Sequence, residues 1–293
     1  MCDEFTEADN DRFFQNGGRL SRRDFSGLGA AGVIAAMFPA GVLAKGAVVE
    51  KRVDIEMPAG VSDCFFAHPA EGSHAAVLMW PDILGLRPAF EAMGKRLAGA
   101  GYSVLVVNPF YRDAKAPVVG PDASFSDPDT RTFLRGMASK LTQEASMSDA
   151  RAYISFLDRQ DVVDTSRKIG TAGYCMGGPL IMRTAAAVPD RVGAAASFHG
   201  GGLVTENDDS PHLLIPKTTA QVLHAIAEND DERTPDTKSV LAQAYKAAGL
   251  DAEIEVYEGT LHGWCPPDSR VYNEPQAEKA WARMLALFER ALS

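Results

Sequence analysis

From residue 48 onward, short apolar runs alternate with longer stretches of helical spacing, and this alternation limits the chain to few folds. Residues 75–80 form a continuous apolar run, as a strand buried on both faces requires, and residues 102–107 are predicted to form a second buried strand. Strands that alternate with helices need crossover connections, which make the strands parallel and place helices on both faces. The sequence therefore predicts an α/β fold, with one domain built on a mostly parallel, twisted sheet.

The same periodicities give the approximate bounds of the elements. Predicted strands span residues 53–57, 61–67, 75–80, 102–107, 168–172, 192–198, 221–227 and 252–257. Predicted helices span residues 88–98, 131–141, 147–157, 176–187, 236–248 and 277–292. The polar, proline-containing segment 113–129 is predicted to be a loop.

The first 47 residues differ in character from the rest of the chain. The adjacent Arg22 and Arg23 precede a mildly apolar run at 27–38, and small residues follow it. This order predicts a twin-arginine export signal, cleaved after Ala44 or Ala47, and the apolar run is too short and glycine-rich for a stable membrane span. We expect domain 48–293 to be periplasmic or exported, or cytoplasmic if the signal is not functional. The alternative is an amphipathic N-terminal helix packed on the domain.

Charge and cysteine usage narrow the classes of partner. The formal net charge of −10 would repel a phosphate backbone, so we expect no nucleic-acid partner. The four cysteines form no CxxC pair and have no metal-ligand spacing with the six histidines. The sequence predicts neither a metal site nor a disulfide framework.

The sequence Gly-Tyr-Cys-Met-Gly-Gly at 173–178 lies between a predicted strand and a predicted helix. A nucleophile on such a sharp turn needs glycines on either side, and Cys175 stands at the nucleophile position of the pattern. The helix that follows favours a thiolate, and the Met176 N–H is a predicted oxyanion donor. The alternative is a buried structural cysteine.

A thiol nucleophile needs a base and an orienting acid, in the chain order nucleophile, acid, histidine. His262 is the one histidine that follows the last predicted strand, and the alternative for it is a loop histidine stacked on Trp264. The acidic run 228–232 follows the predicted strand 221–227. Asp230 is our predicted acid, with Asp231 as the alternative.

With these residues in this order, the chain from about residue 53 to 292 resembles the dienelactone hydrolase (carboxymethylenebutenolidase-like) family of the α/β-hydrolase fold. The resemblance rests on the motif at 173–178, on Ala-Glu-Asn-Asp at 227–230 and on Tyr-Glu-Gly-x-x-His-Gly at 257–263. A cysteine instead of a serine at the turn is the distinguishing mark of that family.

The resemblance implies further site residues. Asp82 corresponds to a carboxylate that controls the thiol, although founding members carry the longer glutamate there. The Ile83 N–H is the implied second oxyanion donor, and Arg112 is the implied contact for a substrate carboxylate. The second arginine of that clamp is missing, and Arg270 is its nearby substitute. Other expected substrate contacts are Tyr111 and Trp264.

The sequence thus predicts a hydrolase that cleaves small esters or lactones through Cys175, without cofactor or metal, as a monomer or small homo-oligomer. One alternative is a broad carboxylesterase or thioesterase. Another is a non-catalytic member that binds a small ligand. A third is a redox protein that pairs Cys175 with Cys64 or Cys265.

Overall fold

The computed structural model describes residues 4–15 and 46–293 of the 293-residue chain. Its strands belong to one eight-stranded sheet. The strands are β1 (Val48–Met57), β2 (Gly60–Pro69), β3 (Ala76–Trp80), β4 (Ser103–Val106), β5 (Ile169–Tyr174), β6 (Val192–Phe198), β7 (Gln221–Ala227) and β8 (Ala252–Tyr257).

The sheet has the order β1-β2-β4-β3-β5-β6-β7-β8. β1 and β2 form an antiparallel hairpin, and β2 pairs antiparallel with β4. Every pair from β4 to β8 is parallel. The prediction of a mostly parallel α/β sheet in a single domain is confirmed, and its carboxyl edge gathers the ends of β3, β5, β6 and β7.

The helices occupy the crossovers between strands. They are α1 (Glu4–Gln15), α2 (Pro88–Gly99), α3 (Pro128–Ala138), α4 (Gln143–Leu157), α5 (Gly177–Ala187), α6 (Glu228–Arg233), α7 (Asp236–Ala248) and α8 (Glu274–Ala291). A 3₁₀ helix spans Pro211–Lys217.

Two hydrophobic layers form the core, one on each face of the sheet. Along β3, Leu78 faces the layer that contains Ile181 of α5, whereas Val77 faces the layer that contains Phe90 of α2 and Phe288 of α8. This alternation follows from the two-residue period of a strand. All five residues of β3 are buried, because helices cover both faces.

Several helix starts differ from the sequence prediction, and side-chain capping explains those of α3 and α4. The Asp127 carboxylate accepts a hydrogen bond from the Thr130 N–H, so α3 begins at Pro128 inside the predicted loop. Thr142 caps α4 in the same way, four residues before the predicted start. The acidic run after β7, which is not among the predicted helices, forms α6, because carboxylates in a first turn stabilise a helix N-terminus.

The predicted export signal falls largely outside the described residues. Arg22, Arg23, the apolar run and Ala44 are not among them, whereas α1, which precedes them, is described. Among the helices of the described ranges, none combines the length and the apolar character needed to cross a bilayer.

Candidate active site

Cys175 sits on a sharp turn between β5 and α5. Its φ of 55° lies in the left-handed region, which a non-glycine residue adopts only when its surroundings enforce it. A Cβ added to Gly173 would lie 2.2 Å from the Gly177 carbonyl oxygen, and one added to Gly177 would lie 2.7 Å from the Trp80 carbonyl oxygen. The two glycines are therefore sterically required, as the sequence pattern predicted.

The backbone around Cys175 is hydrogen-bonded to the end of β6 and to the start of α5. The Cys175 N–H donates to the Phe198 carbonyl at 3.0 Å, and the Gly178 N–H donates to the Cys175 carbonyl at 3.0 Å. The Cys175 residue is only 1% exposed. These contacts hold the sulfur in one position, directly before the positive end of α5.

His262 contacts both Asp230 and Cys175. Its Nδ1 lies 2.7 Å from Asp230 Oδ2, and its ring forms a side-chain hydrogen bond with Cys175. Burial lowers the pKa of His262, but the charges of Asp230 and Cys175 and the hydrogen bonds to both outweigh burial and raise it above the usual value. The structure thus brings together the predicted nucleophile, histidine and acid.

The neighbours of Asp230 separate the two predicted candidates for the acid. Asp231 Oδ2 lies 2.5 Å from the Lys238 Nζ on α7, whereas Asp230 Oδ2 lies against the His262 imidazole. Asn229 instead accepts the His262 backbone N–H at 2.9 Å. Two successive residues of α6 therefore hold the histidine, one through its ring and the other through its backbone.

Asp82 follows β3 and belongs to a buried ionic cluster. Arg87 donates to both Asp82 oxygens at 2.6 and 2.9 Å and to both Asp268 oxygens at 2.7 and 3.0 Å. Burial raises the pKa of Asp82, Arg87 opposes this, and the nearby Cys175 raises it further. Asp82 is thus close enough to interact electrostatically with the thiol. The sequence analysis missed Arg87 and Asp268, which are 181 positions apart.

The two predicted oxyanion donors are the backbone N–H groups of Ile83 and Met176. Ile83 follows Asp82, and Met176 is the N-cap residue of α5. Within the described part of the chain, neither N–H donates a hydrogen bond to a protein acceptor. Both remain able to donate to a ligand oxygen.

Arg112, the predicted substrate contact, has a carboxylate partner inside the protein. Its Nη1 and Nη2 donate to the two Asp149 oxygens at 2.7 and 2.8 Å, and its guanidinium stacks on the Tyr111 ring at 4.6 Å. The Tyr111 hydroxyl donates to the same carboxylate at 2.8 Å. The structure therefore brings Arg112 and Tyr111 together as one buried network.

Two buried aromatic residues, Trp264 and His199, lie close to His262 in the fold. Trp264, a predicted substrate contact, is fully buried and stacks on Tyr257 at 4.8 Å. The His199 ring meets the His262 ring edge to face at 5.0 Å. His199 has a φ of 40° and is fully buried, and neither of its ring nitrogens has a hydrogen-bond partner among the described residues. Burial and the charge of His262 hold the pKa of His199 well below its usual value.

The described cysteines form no disulfide with one another, and the described residues form no metal site. Cys64, Cys175 and Cys265 are buried, and no disulfide joins them. In the ranges 4–15 and 46–293, no group of three or more His, Cys, Asp or Glu side chains is placed to hold a metal ion.

Comparison with known proteins supports the same family as the motifs. The model of the dienelactone hydrolase family matches residues 63–292. A protein of Salmonella typhi named "Putative carboxymethylenebutenolidase" is 24% identical over 255 residues, which are 85% of this chain and 88% of that protein. A protein of the same name from Saccharolobus solfataricus is 25% identical over 271 residues, covering 83% and 99% of the two chains.

A solved structure has the same fold. The crystal structure of a "Putative Dienelactone Hydrolase" from Klebsiella pneumoniae matches with a TM-score of 0.73 at 24% identity, covering 84% of this chain and all of that one. The family match spans most of the sheet and all the residues around Cys175. Carboxymethylenebutenolidases are hydrolases, so the relatives support hydrolase activity. The chain therefore belongs to the dienelactone hydrolase family and has its α/β-hydrolase fold.

Proposed function

We propose that this protein hydrolyses small carboxylic esters or lactones with the thiolate of Cys175 as nucleophile. The observation that carries the proposal is the position of His262, which hydrogen-bonds Asp230 on one side and Cys175 on the other. A histidine whose pKa is raised holds its proton at neutral pH, and an imidazolium beside a thiol stabilises the thiolate. The positive end of α5 acts in the same direction.

In the proposed cycle, the thiolate sulfur attacks the carbonyl carbon and the carbonyl π electrons move to oxygen. The Ile83 and Met176 N–H groups donate to this oxyanion, a contribution that is typically worth about 10²–10³ in turnover per donor. The His262 imidazolium then gives its proton to the leaving alkoxide as the carbon–oxygen bond breaks. The product of this half-reaction is a thioester on Cys175.

Water completes the cycle. The neutral His262 removes a proton from water, the resulting hydroxide attacks the thioester, and the acid product leaves as the Cys175 thiolate is restored. Asp230 keeps the Nδ1 proton of the imidazole directed at itself, so that Nε2 faces the reacting atoms. Asp82, which interacts electrostatically with Cys175, adjusts the balance between thiol and thiolate through its negative charge.

We further propose that the favoured substrates are uncharged. Arg87 is bound by two carboxylates and Arg112 by one, so the positive charge of each is offset inside the protein. A substrate carboxylate near Cys175 meets Asp82 and Asp268 as well as Arg87. A lactone with a free carboxylate and its methyl ester form the matched pair of substrates. We expect the ester to have at least a tenfold higher kcat/KM, and a preference for the acid would support Arg112 as a carboxylate contact instead.

The direct test of the nucleophile is Cys175→Ala, measured with a nitrophenyl ester and with the lactone pair. We expect loss of hydrolysis with an unchanged circular dichroism spectrum, whereas Cys265→Ala keeps its activity because Cys265 packs in the core. Full activity in Cys175→Ala would refute the proposal. A wild-type protein that binds the lactones but turns over none of the esters would support a non-catalytic binding role.

A further inference from the structure

The N-terminal helix α1 lies against the two segments that carry Asp230 and His262. The Asp9 carboxylate accepts a hydrogen bond from Asn229 Nδ2 at 3.2 Å and forms an ion pair with Arg233 at the end of α6. The Asp11 carboxylate lies 2.6 Å from Arg270 Nη2, in the loop that follows His262. Asn10, between them, is 3% exposed. One short helix thus bridges α6 and the histidine loop, which we define as residues 258–273.

Asn229 connects this docking contact to the site itself. Its amide nitrogen donates to Asp9, while its amide oxygen accepts the backbone N–H of His262. Arg233 is similarly shared, because it lies 3.8 Å from Asp230 as well as beside Asp9. A change in the position of α1 is therefore transmitted to the acid and the histidine through single side chains.

The contacts of α1 with the domain include two ion pairs. Its sequence has four acidic residues and one arginine, a net charge of −3, and it meets arginines on the domain. The ion pairs are partly exposed, and such pairs contribute little and weaken with salt. An isolated helix of this length is marginal in water, so α1 depends on its contact with the domain.

The second observation is the burial of the reacting groups. Cys175 is 1% exposed and His262 is 4% exposed, so little of either reacting group is open to solvent. We propose that α1 is a detachable clamp, which holds α6 against the histidine loop and restricts access to Cys175. This inference rests on the proposed role of Cys175 as nucleophile. The predicted cleavage after Ala44 or Ala47 removes α1 together with the signal, so processing would release the clamp.

The test uses the full chain with two pairs of substitutions that change charge equally. Asp9→Asn with Asp11→Asn removes the docking carboxylates, whereas Asp122→Asn with Asp129→Asn removes two exposed carboxylates elsewhere. The first measurement is the rate at which iodoacetamide alkylates Cys175, resolved from the other cysteines by peptide mass spectrometry. The second measurement is the rate of hydrolysis of a nitrophenyl ester. Both measurements are made in low salt and in 0.5 M sodium chloride, because the higher salt concentration screens surface charges over a few ångströms.

We expect the docking variant to alkylate at least threefold faster than wild type in low salt and to be insensitive to salt. Wild type and the control variant accelerate with salt by a similar factor, and hydrogen exchange of residues 4–15 rises in the docking variant alone. Equal alkylation rates in wild type and the docking variant would overturn the clamp. Alkylation does not require turnover, so faster labelling without ester hydrolysis in any protein supports the clamp and refutes the proposed function instead.

Discussion

Replacement of Asp230 by asparagine isolates the contribution of the acid to the proposed mechanism. The substitution keeps the shape of the side chain and removes the charge that lies 2.7 Å from His262 Nδ1. Hydrogen bonds to charged groups contribute about 1.5–3 kcal/mol. At 1.36 kcal/mol for each factor of ten, this predicts a loss in kcat/KM of about 10- to 150-fold.

The pH dependence gives a second readout with a defined sign. Asp230 is one of the groups that raise the pKa of His262, so its neutral replacement lets the imidazolium lose its proton at lower pH. The alkaline limit of kcat/KM therefore moves downward by about one pH unit or more. The assay is nitrophenyl ester hydrolysis from pH 5 to pH 10, with iodoacetamide alkylation as a check on the thiolate itself.

The neighbouring aspartate supplies the control. Asp231→Asn removes the same charge one residue away, where the carboxylate pairs with Lys238 and not with the imidazole. We expect its kcat/KM to stay within about threefold of wild type, since partly exposed ion pairs are worth roughly 0–1 kcal/mol. Equal losses in the two variants, or the larger loss in Asp231→Asn, would refute the assignment of the acid.

Three further variants test other parts of the site. His199→Ala should lower kcat about two- to tenfold at unchanged KM, because aromatic pairs contribute roughly 0.5–1.5 kcal/mol. His199→Phe should restore most of the lost kcat. Wild-type activity in both variants would contradict a role of the His199 ring in supporting His262. Arg87→Met leaves two carboxylates without their cation and should cost about 3–5 kcal/mol in urea unfolding, against less than about 1 kcal/mol for the exposed Arg283→Met. Gly173→Ala should yield no soluble folded protein, whereas Gly120→Ala, with open space around it, should behave as wild type by circular dichroism.

Local patterns sufficed to predict most of the fold and the centre of the site. Continuous apolar runs identify strands such as β3, because a strand that is covered on both faces consists almost entirely of apolar residues. The turn at Cys175 was equally predictable, since the steric need for glycine at 173 and 177 is visible in the sequence. In this fold the acid and the histidine follow the nucleophile in a fixed chain order, and this order predicted residues 230 and 262 at the same edge of the sheet.

The remaining contacts depend on distances that no local pattern encodes. Arg87 meets Asp268 only because the loop after β3 and the histidine loop end at the same edge of the sheet. His199 directly follows β6, the strand next to β5, so its contact with His262 follows from strand order, which periodicity does not determine. The docking of α1 joins residues more than 200 positions apart, and acidic helices of this kind usually face solvent.

The depth of the sulfur atoms in this domain has a consequence for redox chemistry. Thiol–disulfide exchange requires that a small disulfide or an oxidising enzyme reach the thiolate sulfur directly. Cys64, Cys175 and Cys265 are all buried in the protein. Burial also raises the pKa of Cys64 to about 12, and it raises that of Cys265 as well, so these two thiols stay protonated and inert. Oxidation of Cys64 or Cys265 therefore requires local opening of the fold, so these two thiols stay reduced for as long as the domain stays folded.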